Sequence, residues 1–226
     1  MDTDKRSALI VGATGLVGSN LLEILLRSNT YKTVKVLVRN PTSLHHPKLT
    51  EIIVDFNTLD KQEEVFAVDD VFCCLGTTIK KAGSKEAFQK VDYQYPIKIA
   101  ELAKKRRAKQ FLIVSAVGAD SHSRFFYNRV KGELELALKK MQLPSLHIFR
   151  PSLLLGKRNE FRFGERIGTI ISPLFSPLLI GSLSKNKPIQ ANELALVMYN
   201  IAKENKDGEF IYEWNNFQKI LKGDHV

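Results

Sequence analysis

The chain has 226 residues, of which 44% are hydrophobic and 26% charged, and it carries a formal net charge of +10. The length predicts a single α/β domain over residues 1–226, and the composition is typical of a soluble globular protein. The cysteines Cys73 and Cys74 are adjacent in an apolar run, which indicates neither a disulfide framework nor a cysteine metal motif and favours a reducing cytoplasm. A secretory signal is not expected, because a basic-then-apolar leader is missing from the N-terminal residues.

Apolar, β-rich runs alternate with helical patterns along the chain. The predicted strands are Ala8–Val11, Val34–Val38, Glu51–Val54, Asp70–Cys74, Phe111–Ser115, Leu146–Phe149 and Glu209–Trp214. The predicted helices are Leu16–Arg27, Lys61–Phe66, Lys85–Arg107, Arg124–Met141 and Glu193–Lys203. This alternation predicts a doubly wound parallel sheet of the Rossmann type, with helices on both sides. Residues 151–226 are expected to form a small substrate-side region.

The first predicted strand runs directly into the glycine-rich sequence Gly12-Ala-Thr-Gly15-Leu-Val-Gly18, and a helix follows. Gly12 can make the tight turn, Gly15 lets the backbone approach a pyrophosphate, and Gly18 allows close packing of helix and strand. The helix N-terminus then offers free N–H groups and a partial positive charge to the phosphates. Strand, glycine loop and helix together predict a dinucleotide-binding site.

The residues that follow the later strands indicate which dinucleotide is bound. Arg39 directly follows the second strand, where NAD-binding proteins usually carry an acidic residue, and an arginine there suits the 2′-phosphate of NADP. NADP(H) is therefore favoured over NAD(H), although a solvated arginine in the Asn40-Pro41 turn is an alternative. Asp55 is placed to meet the adenine amine, and the backbone of Leu75-Gly76-Thr77 is expected to pass close to the cofactor.

A tyrosine and a lysine four residues apart share one helix face, so their polar groups can converge. The spacing occurs at Tyr31/Lys35, Tyr127/Lys131 and Tyr199/Lys203. Only Tyr127 opens the helix that follows the fifth strand, at whose carboxyl end Ser115 lies. Ligands of doubly wound sheets bind outside the carboxyl ends of the strands, which places these two residues at the same crevice.

Two features, a basic cluster and an uncharged stretch, raise nucleic acid and membrane as alternative partners, and neither partner is favoured. The basic cluster at residues 104–109 has no interleaved aromatic residues and closes a predicted helix, so a solvated helix end is favoured over nucleic-acid binding. Residues 167–184 hold no charge, but prolines and glycines interrupt them, so stable membrane insertion is not expected. We expect Arg162–Lys187 to form a flap beside the substrate cleft.

The combined motifs resemble the short-chain dehydrogenase/reductase family in its atypical or extended branch, and within it the Tat-interacting-protein-like oxidoreductases. The resemblance covers residues 7 to 205 and extends through Cys73-Cys74-Leu75-Gly76-Thr77-Thr78, Ser115-Ala116-Val117-Gly118-Ala119-Asp120, Tyr127-Asn-Arg-Val-Lys131-Gly132-Glu133 and Phe149-Arg150-Pro151. It implies an NADP(H)-binding Rossmann fold whose catalytic residues are Ser115, Tyr127 and Lys131. The cofactor-binding residues it implies, together with the motifs above, are Gly12, Thr14, Gly15, Leu16, Val17, Gly18, Arg39, Asp55, Leu75, Gly76, Thr77, Lys131 and Pro151.

The resemblance implies hydride transfer between NADPH and a small carbonyl or alcohol substrate, with Tyr127 exchanging the proton and Ser115 orienting the oxygen. Lys131 would hold the nicotinamide ribose and lower the pKa of Tyr127. A cation ~4 Å from a phenolate contributes about 4 kcal/mol at an effective dielectric constant of about 20, or roughly three pKa units. Asp92 departs from the pattern, because many members carry an asparagine there to hold a relay water.

We therefore expect a cytoplasmic NADP(H)-dependent oxidoreductase that needs no metal ion. The resemblance also leaves open a regulatory or sensor protein, in which the NADPH-bound form binds a protein partner without turnover. Nucleotide-sugar epimerisation is less favoured, because the C-terminal region is short for such a large substrate. Arg150 is equally suited to a structural ion pair and to a substrate anchor, and both a monomer and a homodimer remain open.

Overall fold

The computed structural model describes residues 5–156 and 187–224. In this part of the chain, seven parallel strands form a sheet in the order β3-β2-β1-β4-β5-β6-β9. The sheet strands are β1 (Arg6–Val11), β2 (Tyr31–Val38), β3 (Leu49–Ile53), β4 (Asp70–Cys73), β5 (Gln110–Val114), β6 (Ser145–Phe149) and β9 (Gly208–Tyr212). A separate parallel pair consists of β7 (Leu154–Leu155) and β8 (Ile189–Gln190).

The helices cover both faces of this sheet. They are α1 (Leu16–Arg27), α2 (Ile79–Ala82), α3 (Lys85–Gln89), α4 (Tyr95–Lys105), α5 (Phe126–Lys140), α6 (Ala191–Glu204) and α7 (Trp214–Lys222). One core layer joins the sheet to α1, α6 and α7 through residues such as Leu25, Met198 and Phe217. The other joins it to α4 and α5 through residues such as Leu102 and Leu138. The predicted doubly wound fold is confirmed.

The predicted helix Lys85–Arg107 is interrupted in the structure. A π-helical segment, Lys90–Gln94, separates α3 from α4, and the amide of Tyr95 bonds the carbonyl of Lys90, five residues earlier. Pro96 explains the change, because its ring crowds the carbonyl of the residue four positions before it and it lacks an N–H group. The carbonyl so displaced belongs to Asp92, and the wider turn buries the Asp92 side chain.

Two other predicted elements differ from the structure. The predicted helix Lys61–Phe66 lies within a kinked 3₁₀ segment, Phe56–Phe66. The last strand ends at Tyr212 rather than Trp214, because Trp214 begins α7, whose Phe217 and Ile220 face the core three residues apart. The predicted flap Arg162–Lys187 and the uncharged stretch 167–184 fall outside the described residues, apart from Lys187. Among the helices that are described, none is long and apolar enough to span a bilayer.

Candidate active site

The glycine loop makes a turn that only glycine allows at two of its positions. Gly12 has a φ of +89°, and a Cβ atom there would lie 2.6 Å from the carbonyl oxygen of Cys74. A Cβ on Gly18 would lie 2.1 Å from the Gly12 oxygen, while the Gly15 amide donates to that oxygen at 2.9 Å. The start of α1 therefore packs on the Gly12 turn after β1, and this turn packs on the backbone that follows β4.

The N-terminus of α1 is open to an anion. No side chain among the described residues caps this helix at Gly15, and its first turn, which starts at Leu16, holds no acidic residue. The first amides of a helix lack intrahelical acceptors and carry a partial positive charge. These amides and the glycine turn together form a cradle of the kind that binds phosphate groups.

A pocket of about 350 Å³ extends from this cradle. Seven predicted cofactor contacts line it: Gly12, Thr14, Gly15, Arg39, Leu75, Gly76 and Thr77. Sequence analysis did not predict Phe56, Lys81 and Tyr95, which also line the pocket. The rings of Phe56 and Tyr95 are 5.2 Å apart and form an aromatic wall.

The other predicted cofactor residues lie around the pocket rather than in its wall. Leu16, Val17 and Gly18 form the first turn of α1, and Pro151 is buried after β6. The Asp55 side chain accepts from the backbone and side-chain amides of Asn57, at 2.9 and 2.7 Å, and begins the 3₁₀ segment. Its proposed contact with adenine stays a prediction, as do the roles of the residues in this paragraph.

Tyr127 and Lys131 lie on one face of α5, next to Asp92 of the π-helical segment. Lys131 Nζ is 2.7 Å from Asp92 Oδ1, and both side chains are at most 3% exposed. Asp92 Oδ2 accepts a hydrogen bond from the Thr77 amide at 2.9 Å. One buried carboxylate thus joins the wall of the pocket to the lysine of the predicted catalytic pair.

This ion pair changes the electrostatics expected of Tyr127. Burial raises the pKa of Tyr127, Lys131 lowers it, Asp92 raises it again, and the net direction is upward. Burial acts to lower the pKa of Lys131, but Asp92 and Tyr127 raise it above its usual value. Lys131 thus lowers the pKa of Tyr127 as expected, but burial and the Asp92 charge together outweigh it, so the net shift is away from neutrality.

Ser115 is held by a second buried carboxylate. Its Oγ donates to Glu135 Oε1 at 2.5 Å, and Arg150 binds both oxygens of Glu135 at distances between 2.5 and 3.1 Å. Gly132 lets α5 pack closely on the loop that follows β5, since a Cβ there would lie 2.2 Å from the carbonyl carbon of Asp120. Ser115 can donate to a substrate oxygen only if it breaks its bond to Glu135. Arg150 forms the structural ion pair that was one of its two expected roles.

Sequence reasoning missed Glu135 and left the role of Asp92 open, yet both carry a detectable signal. Asp92 follows Phe88 by four residues and precedes Pro96 by four, and all three are buried. Glu135 follows Lys131 by one helical turn on the buried side of α5. A charged residue within an apolar helical stripe requires a partner, because an unpaired charge is costly to bury.

The basic cluster at residues 104–109 faces acidic residues. Lys105 pairs with Glu63 and Arg106 with Glu64, each at 2.5 Å, while Lys109 lies 2.9 Å from Asp69. These acidic partners offset part of the positive field that a nucleic acid would need.

Comparisons with known proteins agree with this architecture. Residues 12–144 match a protein family described as NAD(P)H-binding. Protein HTATIP2 of Rattus norvegicus is 40% identical over 164 residues, which cover 71% of this chain and 67% of that protein. The solved structure of MoeE5 in complex with UDP-glucose and NAD has a TM-score of 0.68 at 13% identity, and covers 96% of this chain and 81% of that one. At this identity, the likeness shows the fold alone.

A further relative corrects the expected location. Protein FMP52 of Debaryomyces hansenii is 33% identical over 204 residues, which cover 88% of each chain, and it is named a mitochondrial protein. The expectation of a cytoplasmic protein is therefore wrong. Its basis was weak, because burial raises the pKa of Cys73 to about 12. A buried, protonated thiol stays inert and does not report on its compartment.

Proposed function

This chain belongs to the NAD(P)H-binding family, in the atypical short-chain dehydrogenase/reductase branch of the Tat-interacting-protein-like oxidoreductases, and from that membership we propose that it is an NADP(H)-dependent reductase of small carbonyl compounds. One observation carries the proposal: Asp92 connects Thr77 in the pocket wall with Lys131, beside Tyr127. A nucleotide in the pocket and a proton donor are thereby held by adjoining elements at one edge of the sheet, where such folds bind ligands.

The residues of the pocket fit a phosphorylated dinucleotide. Side chains at Gly12 and Gly15 would crowd the neighbouring backbone, so the turn is bare, and the start of α1 is suited to a pyrophosphate. Arg39 and Lys81 bring positive charge to the same pocket, which supports a ligand with an additional phosphate such as NADP. The aromatic wall of Phe56 and Tyr95 offers a flat apolar surface for the adenine ring.

The proposed chemistry assigns each residue a step. The bound cofactor supplies a hydride to the carbonyl carbon. The phenol of Tyr127 donates its proton to the carbonyl oxygen, and no hydrogen-bond partner for this hydroxyl is found among the described residues. Lys131 orients the ribose and stays charged beside Asp92. The Ser115 hydroxyl donates its hydrogen bond to Glu135, so only its oxygen lone pairs face the substrate. Ser115 therefore accepts a hydrogen bond from the alcohol product.

The cofactor preference is tested with Arg39→Asp and titration calorimetry with NADPH and, separately, NADH. We expect the variant to lose at least tenfold more affinity for NADPH than for NADH, because only NADPH carries the 2′-phosphate. Lys32→Asp is the matched control: it makes the same charge change at an exposed position near the other end of β2. Equal losses for both cofactors, or an equal loss in the control, would contradict a 2′-phosphate contact.

Turnover is tested by following NADPH consumption with a panel of aldehydes and ketones. Consumption that depends on the carbonyl compound supports the reductase. Tight NADPH binding without turnover on any compound contradicts it and favours the regulatory alternative. Binding of neither cofactor contradicts both.

A mitochondrial location is proposed for the same protein, on the support of the named FMP52 relatives. The full chain with a C-terminal fluorescent protein is expected to overlap a mitochondrial marker. Diffuse fluorescence that excludes the marker would contradict this location.

A further inference from the structure

The buried side chain of Asp92 places a negative charge close to Tyr127. The side chain is 1% exposed and lies between the end of β4 and helix α5. It accepts the Thr77 amide through one oxygen and pairs with Lys131 through the other. A neutral amide in its place would also supply an oxygen to Thr77, so the hydrogen bond alone does not require a carboxylate.

Lys131, rather than the Thr77 hydrogen bond, is what requires a carboxylate at position 92. Lys131 is 3% exposed, and a buried ammonium without a counter-charge is costly. Within residues 5–156 and 187–224, the groups that face Tyr127 and Lys131 come from three elements: Asp92 from the π-helical segment, Cys73 from β4 and the Phe88 ring from α3, 5.5 Å from the Tyr127 ring. Of these, only Asp92 contributes a carboxyl group.

We propose that Asp92 is a positioning residue that offsets the charge of Lys131 and so keeps Tyr127 as a phenol, loaded with the proton that carbonyl reduction consumes. This inference rests on the proposed function, since it deepens the role of the same site. Reduction forms a C–H bond from the hydride and an O–H bond from the Tyr127 proton, while the carbonyl π bond breaks. The resulting phenolate regains a proton from water.

The direction of the electrostatic effect agrees with this assignment. A lone ammonium beside Tyr127 would favour the phenolate. With Asp92 present, burial and the carboxylate both act upward, and the pKa of Tyr127 lies above its usual value. At neutral pH the tyrosine then carries its proton before any substrate binds.

The test measures the titration of Tyr127 directly and needs no substrate. The phenolate absorbs near 295 nm, and the difference between each protein and its Tyr127→Phe counterpart isolates this one tyrosine. Asp92→Asn keeps the oxygen for Thr77 and removes the charge, so we expect the titration midpoint to fall by at least one pH unit. Asp92→Glu keeps the charge and is expected to restore part of the shift.

The matched control is Asp120→Asn. Asp120 is exposed, in the loop between β5 and α5, and its Oδ1 accepts the His122 amide, a bond that asparagine can keep. Its neutralisation is expected to leave the midpoint unchanged. An unchanged midpoint in Asp92→Asn, or an equal fall in Asp120→Asn, would overturn the inference.

A double variant serves if Asp92→Asn does not fold. Asp92→Asn with Lys131→Met removes both charges and leaves no unpaired ion in the core. Because the two charges offset each other in the native protein, we expect the Tyr127 midpoint to stay within half a unit of its native value. A rise of more than one unit would mean that Lys131 dominates and that Asp92 offsets nothing. Failure of the carbonyl panel leaves these titrations unaffected, so the two proposals fail separately.

Discussion

Two clusters, each of a tyrosine, a carboxylate and a cation, lie at opposite ends of the parallel sheet. The lower cluster, at the amino ends of the strands, consists of Tyr31, Asp70 and Arg6. The upper cluster, at the carboxyl ends, consists of Tyr127, Asp92 and Lys131. In the lower cluster the Tyr31 hydroxyl donates to Asp70 at 2.6 Å, and Arg6 pairs with the same carboxylate. In the upper cluster the carboxylate binds Lys131 and a backbone amide, and leaves the tyrosine hydroxyl out.

The two clusters differ in which groups donate hydrogen bonds to the carboxylate. Gln110 also donates to Asp70, at 2.9 Å, so side chains of the protein occupy both oxygens of this buried carboxylate. The Tyr127 hydroxyl has no partner among the described residues and lies beside the pocket. Tyr127 is partly exposed, so its hydroxyl is available to donate to a ligand at this edge of the sheet. Similar residue types thus stabilise the fold at one end and, in the proposed mechanism, present a proton at the other.

The largest expected difference between the two clusters comes from the same substitution, tyrosine to phenylalanine, made in each of them. Tyr127→Phe is expected to lower turnover by about 10²–10⁴-fold, because it removes the proton donor, and to keep the affinity for NADPH. Tyr31→Phe is expected to keep turnover and to cost about 1–3 kcal/mol of stability, because Asp70 loses a donor. The measurements are NADPH consumption, calorimetry and urea unfolding. Native turnover in Tyr127→Phe would contradict the mechanism.

The lower cluster is expected to show its role in unfolding. Arg6→Met leaves Asp70 buried with one fewer positive partner, and we expect the free energy of unfolding to fall by about 3–5 kcal/mol. Arg27→Met is the matched control, because Arg27 pairs with Glu23 on the exposed face of α1 and such pairs contribute about 0.5 kcal/mol or less. Similar losses in the two variants would show that Asp70 does not depend on its ion pair.

The sequence predicts the local parts of both ends. The glycine loop follows from one continuous motif, and Tyr127 and Lys131 follow from helical spacing and from the position of α5 after β5. The fold follows from alternating patterns, which are strong because the strands are buried on both faces. These features depend on residues close together in the chain.

The partners that define each cluster come from distant segments. Asp92 meets Lys131, and Arg6 meets Asp70, only after the sheet has formed, and periodicity carries no information about such pairs. The π-helical turn that buries Asp92 depends on Pro96, which a helical pattern averages over. Consequently the sequence predicted the direction in which Lys131 acts on the pKa of Tyr127, but not the burial and the Asp92 charge that make the net shift upward.

The smallest expected effect is a pH dependence of stability that arises at the amino ends of the strands. Asp69 lies beside the lower cluster and accepts the amide and hydroxyl of Ser7 at 2.7 and 2.8 Å, with Lys109 at 2.9 Å. Burial acts to raise the pKa of Asp69, but these donors outweigh it and lower the pKa to about 2. In the unfolded chain Asp69 has an ordinary pKa of about 3.9, so the unfolded chain binds the proton first as the pH falls. Stability is complete above about pH 4 and declines towards pH 2.

Asp69→Asn is expected to remove this decline. Because Asp69 is partly exposed, solvent screening limits the effect to about 1 kcal/mol between pH 4 and pH 2. The measurement is urea unfolding at several pH values, with the slope of stability against pH compared between variant and native protein. The titration of Tyr127 at alkaline pH should be the same in both, since Asp69 lies at the other end of the sheet. A shift in that titration would show that the two clusters are coupled through the sheet, and the division between a structural end and a reactive end would no longer hold.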